Sequence, residues 1–225
     1  MRCLNVSRRN RNRSCAPLAA LLVVLVAITG LFSTRLHAEY TGLLHGRSGD
    51  LTKLSDLSVE FGFVTGDFSV PGGGDADYDH LGLRVNYRVS PGIIATFDIG
   101  KTDIGTTDGN PFGFGLYYQL QDLISNMDAA LRGSFHTGEL EAGRAEFDID
   151  VIDIELLVSG REPLGANGLE WYGNVGLQRL KVESESDTEL TLGGGLILPV
   201  GAGEGFFGIE HAGDITFGVG FRYNI

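Results

Sequence analysis

Three groups of side chains carry the residue types that chemistry needs. Asp75, Asp77, Asp79 and His80 follow the glycine run 72–74; Glu210 and His211 are adjacent; His136 stands alone mid-chain. A carboxylate beside an imidazole can activate water or a hydroxyl as a general base. Asp75-x-Asp77-x-Asp79 opens like a calcium loop, which makes it the candidate divalent-ion loop, but the glycine expected next and the later Glu are missing. Acids beside histidines are also ordinary in solvated loops. The expectation is therefore a chain without a catalytic centre, a dedicated metal site or a cofactor.

What must position these residues is legible in the rest of the chain. The sequence has 225 residues, of which 34 are Gly, 6 Pro and 2 Cys. Glycine without a Gly-X-Y period excludes collagen, and 43% apolar residues exclude a disordered chain. All 29 acids lie after residue 38, whereas 6 of the 17 basic residues lie before it. The chain after residue 38 thus sets 11 bases against 29 acids, a net charge of −18. Such a surface repels phosphate backbones, so no nucleic-acid partner is expected.

The first 38 residues read as an address. Arg2, Arg8, Arg9, Arg11 and Arg13 precede an apolar run from Ala16 to Phe32, and Leu36-His37-Ala38 offers a small residue for cleavage. That is the layout of a secretory signal peptide. Both cysteines, Cys3 and Cys15, fall inside it. The 187 residues that follow contain none and must be stabilised without disulfides. The expected organisation is a signal peptide over 1–38, a periplasmic N-terminal segment over 39–52, and one β domain over 53–225.

From residue 57 onward the hydrophobic period is two. Leu57, Val59, Phe61 and Phe63 alternate with polar or glycine positions, as do Leu81, Leu83, Val85 and Tyr87. Eight more such segments follow, the last being Ile215, Phe217, Val219, Phe221, Tyr223 and Ile225. Ten strands with short connections predict an up-and-down antiparallel barrel, with eight strands as the alternative count. The set opposite the apolar one is crowded with glycine, including Gly62, Gly82, Gly100, Gly113, Gly115, Gly195 and Gly220. Glycine on a strand suits a narrow lumen, where space is short, and has no such reason on a water-facing surface. The bulky, uncharged set then faces lipid, and the barrel spans an outer membrane.

The ending Phe217-Gly-Val-Gly-Phe-Arg-Tyr-Asn-Ile225 resembles the C-terminal strand of Gram-negative outer-membrane barrels. Leu192-Gly-Gly-Gly-Leu196 and Phe206-Phe-Gly-Ile-Glu-His211 are similar to segments of the small outer-membrane β-barrel family that includes opacity-type proteins. That family ends on Phe, and this chain ends on Ile225. The resemblance implies recognition of the last strand by the outer-membrane assembly machinery. It also implies a place in the cell outer membrane, among outer-membrane lipid and lipopolysaccharide.

With the polar set inside, Glu60, Arg84, Asp98, Arg132 and Glu155 are expected near mid-height, with alternating sign on strands one, two, three, five and six. Asp153 joins them, and Arg222 adds a positive charge lower in the barrel. Isolated charges in such an interior are costly, and opposite pairs offset the cost. This lumen charge network should occlude the barrel. The function expected is non-enzymatic: a structural or surface-interaction role in the envelope. The alternatives are a narrow channel for small solutes and a rim hydrolase of omptin or lipid A deacylase type. For the deacylase, His136-Thr137-Gly138 lacks the serine two residues on. Acids of the expected outer loops (Asp67, Asp103, Asp108, Glu139, Glu141, Glu183, Glu185 and Asp187) would draw Ca²⁺ or Mg²⁺ and so bridge the rim to lipopolysaccharide.

Overall fold

A computed structural model describes residues 46–69, 75–121, 123, 126–160 and 168–225. The expected signal peptide, with its expected cleavage near Ala38, and residues 39–45 lie outside the described residues. Among the described residues eleven strands follow one another: β1 (Leu57–Ser69), β2 (Asp75–Ser90), β3 (Ile93–Ile104), β4 (Thr107–Gly109), β5 (Phe112–Leu120) and β6 (Met127–Ala142), then β7 (Ala145–Gly160), β8 (Glu170–Val182), β9 (Glu185–Val200), β10 (Gly203–Ala212) and β11 (Asp214–Asn224). Each pairs antiparallel with its neighbours, and β1 closes on β11 from Ser58↔Asn224 to Gly66↔Thr216. The barrel has ten staves, because β4 and β5 together form one. That stave breaks at Asn110–Pro111, where proline has no N–H for the ladder. Pairing resumes through the Gly100 N–H, which donates to the Pro111 carbonyl at 3.0 Å.

Alternation decides which side chains share a face. On β2, His80, Arg84 and Asn86 are buried, while Leu81 and Leu83 are exposed. Leu81 is 62% exposed and Ile154 57%, whereas Arg84 and Arg132 are 1% or less. Leaving side chains like these in water would forfeit about 1.5–3 kcal/mol each. An acyl-chain environment removes that cost, and the charged set inside matches a membrane barrel rather than a soluble one.

Inward glycines make room for bulky neighbours on the next stave. A Cβ at Gly100 would overlap the His80 ring, and one at Gly113 the His136 ring. Gly195 stands beneath Tyr172 and Gly220 beneath Phe206 in the same way. Gly220, Gly62, Gly82 and Gly100 lie side by side across four staves, and the Phe206 and His80 rings occupy the space over the first and last of them. The two-residue hairpin at Gly143 (φ +67°) needs the left-handed conformation that glycine adopts freely.

Two departures from the sequence reading concern the ends. The strands β2, β6, β7 and β9 reach 16 residues, where about 9–11 cross a bilayer. The acids expected in outer loops therefore sit on strand extensions: Asp67 on β1, Asp103 on β3, Asp108 on β4, Glu139 and Glu141 on β6, Glu185 and Asp187 on β9. Only Glu183 occupies a turn. The second departure is larger. The described part of the segment expected to be periplasmic, residues 46–52, does not hang below the barrel but lies within its lower lumen, and β1 begins only at Leu57.

That segment leaves the lumen at the mouth where the chain also ends, with Ser55 beside Asn224 and the Ile225 N–H donating to the Leu57 carbonyl. Its one turn of 3₁₀ helix (Leu51–Lys53) starts at Asp50, whose carboxylate accepts from the Thr52 N–H at 3.0 Å. Gln119 accepts from the Leu51 N–H at 2.7 Å and donates to the Gly49 carbonyl at 2.9 Å. Arg88 donates to the carbonyls of Leu51 and Leu54. Leu51 and Leu54 then pack on Ile94, Tyr117, Ala130 and Leu157, an apolar cluster that seals this mouth.

Candidate functional site

The lumen holds two groups of buried ion pairs. The first is carried by adjacent staves. Glu60 on β1 faces Arg84 on β2 and Arg222 on β11 as a register partner of each. Its carboxylate accepts from Arg222 Nε at 2.7 Å and from Arg84 Nη1 at 3.4 Å. Arg84 Nε in turn donates to Asp98 on β3 at 2.6 Å. Asn86 adds a donor to Glu60 at 2.7 Å. Arg222, expected lower than this row, belongs to it, since the ladder pairs it directly with Glu60. It also reaches Glu204 at 2.8 Å and the Gly46 carbonyl at 2.7 Å.

The second group spans the lumen. Arg132 on β6 donates to Asp153 at 2.7 Å and Glu155 at 3.1 Å, both on β7. Its guanidinium lies 5.5 Å from the Tyr117 ring centroid, a cation–π contact. Asn174 on β8 donates to Glu155 at 2.8 Å and to Glu210 on β10 at 3.1 Å. Arg47 completes the group from outside the sheet: Nη1 meets Glu155 at 3.3 Å and Nη2 hydrogen-bonds Glu210. Arg47, Glu155 and Glu210 are all buried.

All seven residues assigned to the network from sequence (Glu60, Arg84, Asp98, Arg132, Asp153, Glu155 and Arg222) thus point into the lumen. The simple circuit of alternating signs does not hold throughout. Asp98 meets His136 Nε2 at 3.5 Å, not Arg132, because register sets His136 beside Gly113 and Arg132 beside Glu155. Arg47, Asn174, Glu204 and Glu210 join the network beyond those seven, Asn174 and Glu210 from positions that period two already puts on the polar face. No pattern in the sequence marks Arg47.

The residues that tempted a catalytic reading are separated by the same period. Glu210 faces the lumen and His211 faces out, with its Nδ1 3.0 Å from the Asp214 carbonyl. His80 is buried against the Thr102 hydroxyl at 2.8 Å, while Asp77 is exposed on the opposite face. The ion-binding loop reading is corrected outright: Asp75, Asp77 and Asp79 lie in β2, not in a loop. Among the described residues no group of three His, Cys, Asp or Glu is arranged to hold a metal.

At the mouth opposite the chain's end, the break between β4 and β5 leaves an outward recess of about 510 Å³. Asp108, Glu139, Glu141 and Asp148 line it beside Asn110 and Phe112.

No family model matches this chain, and no curated protein matches it. Solved structures do. The β domain of the Bordetella autotransporter Brka superposes with a TM-score of 0.54 at 14% identity, over 76% of this chain and 100% of that one. The translocator domain of the autotransporter NalP from Neisseria meningitidis gives 0.41 at 12% identity, over 93% and 98%. The KdgM porin gives 0.37 at 10% identity, over 75% and 99%. The likeness to the Brka domain is one of fold. The chain is an all-β, closed, ten-stranded antiparallel barrel of the outer-membrane type, with transmembrane strands and buried salt bridges in its lumen.

Proposed function

We propose that this barrel is a non-enzymatic, closed element of a Gram-negative outer membrane, with a structural or surface-interaction role. The observation that supports closure is the filling of the lumen by two ion-pair groups and by residues 46–54. Arg47 joins Glu155 to Glu210 across separated staves, and Arg84, Arg132 and Arg222 each hold two carboxylates along the wall, so the interior is occupied by paired charge. A protein of this kind should show no steady, large conductance in a planar bilayer, and a wild-type recording with such openings would favour the narrow-channel reading instead.

Recognition of the last strand by the assembly machinery is the reading that Phe217–Ile225 supports, as is kinship with opacity-type barrels. Export would follow cleavage near Ala38. The acidic far rim, with its recess lined by Asp108, Glu139, Glu141 and Asp148, is proposed to hold Ca²⁺ or Mg²⁺ between the barrel and lipopolysaccharide. Chelator should then lower both lipopolysaccharide binding and the unfolding temperature. Unchanged values for both would sink the bridge and leave the barrel reading intact.

A further inference from the structure

The wall of the barrel is short of cations on one side. In the Arg132 group, the strands supply one guanidinium against Asp153, Glu155 and Glu210, all buried. Arg132 answers Asp153 and Glu155; among the described residues the only cation on Glu210 is Arg47. The wall groups that meet Arg47 are also held by contacts of their own. Asn174 donates to both carboxylates and so fixes their separation. Gly193, the register partner of both Asn174 and Glu210, has no side chain; a Cβ there would press on the Asn174 amide and the Glu210 stem. Two carboxylates from staves three apart thus each meet a different nitrogen of one planar fork. A compact ammonium ion could not span them in this way.

We propose that Glu155, Glu210 and Asn174 form a lumenal receptor for a guanidinium group, which Arg47 fills in cis, making residues 46–54 a latched stopper. The ligand class is a guanidinium cation, free or on a basic peptide. Glu210 Oε1 and Asn174 Oδ1 have no hydrogen-bond partner among the described residues, nor have Arg47 Nε and Nη1, so the site has acceptors to spare and Arg47 donors it does not use. The rest of the segment grips the wall independently, through Gln119, Arg88 and the Lys53–Glu170 pair at 2.7 Å. Loss of the Arg47 side chain therefore vacates the receptor without removing the segment.

The inference rests on the barrel fold with its charged interior, not on the lumen being closed. The test is chemical rescue of the full-length Arg47→Ala protein, refolded in detergent and followed by its heat-dependent gel shift. The unfolding temperature should fall by about 10 °C, as expected for stranding a buried carboxylate in a chain of this size. Millimolar methylguanidinium should restore at least half of that fall, and tetramethylammonium at the same concentration should not. The double variant Arg47→Ala/Glu210→Gln should lose the methylguanidinium response. Equal rescue by both cations, or an undiminished response in the double variant, would overturn the receptor. Should Arg47→Ala not fold, the yield of refolding with each cation gives the same discrimination: yield regained with methylguanidinium alone supports the site, and no difference refutes it. A conducting wild-type barrel would sink the closed-lumen reading while leaving this result standing.

Discussion

The two ion-pair groups in the lumen reach the same electrostatic end by different routes. In the first, Glu60 sits between Arg84 and Arg222 because three neighbouring staves are in register, and cross-strand partners lie within about 5.5 Å. Nothing beyond the sheet is needed for the Glu60 pairs. In the second, Glu155 and Glu210 belong to staves that do not touch, and Arg47 joins them from a segment outside the sheet. The first group is a property of strand pairing. In the second the Arg132 pairs are cross-strand too, and only the link from Glu155 to Glu210 through Arg47 needs a segment from outside the sheet.

That contrast can be broken or sharpened by experiment. The largest effect is expected for Arg132→Met, which strands Asp153 and Glu155 in the interior. A loss of about 3–5 kcal/mol should appear in urea unfolding of the vesicle-reconstituted protein. If the two groups are separate, the losses from Arg132→Met and Arg84→Met should add to within about 0.5 kcal/mol in the double variant. A larger coupling would merge them into one network, with His136 beside Asp98 as the bridge.

The glycines test the two faces of the wall. Gly113→Ala should cost about 1–3 kcal/mol, because the new methyl meets the His136 ring inside a filled lumen. Gly133→Ala, on the outward face, meets only the Asp153 carbonyl at 4.0 Å and should stay within about 0.5 kcal/mol of wild type. Equal costs would mean that the lumen is looser than its packing implies.

The smallest effect belongs to the lower mouth. Partial burial opposes the charge on Lys53, but Glu170 and Asp50 outweigh it and raise its pKa above the ordinary lysine value of 10.5. A raised lysine stabilises the folded state below the unfolded value, and the contribution is lost as pH climbs through the folded one. Lys53→Met should therefore cost a few tenths of a kcal/mol near neutrality, since the pair is largely solvated, and nothing at strongly alkaline pH. A difference that persists once the lysine has lost its proton in the folded state would assign the effect to packing rather than charge.

Much of this was legible beforehand, for a definite reason. Period two assigns every residue of a strand to one face, so Leu81 out and Arg84 in follow once the strand is recognised. Ten such segments fixed the stave count to within the eight-strand alternative. The loop–strand boundary was less legible: Asp75, Asp77 and Asp79, like Glu139 and Glu141, are polar enough to read as loop, yet the ladder carries them as strand. Alternation also separated Glu210 from His211, a pair that looks catalytic when read along the chain and lies on two sides of a wall when folded.

By itself the sequence determined an all-β, membrane-type barrel with charges inward, because those facts depend on nearest neighbours and on a two-residue repeat. Only the tertiary structure decided that Arg222 is level with Glu60, that Asp98 turns to His136, and that Arg47 enters the lumen to meet Glu155 and Glu210. The physical reason is distance along the chain. Arg47 and Glu210 are separated by 163 residues, and no local periodicity encodes a contact made only when ten staves close around a returning segment.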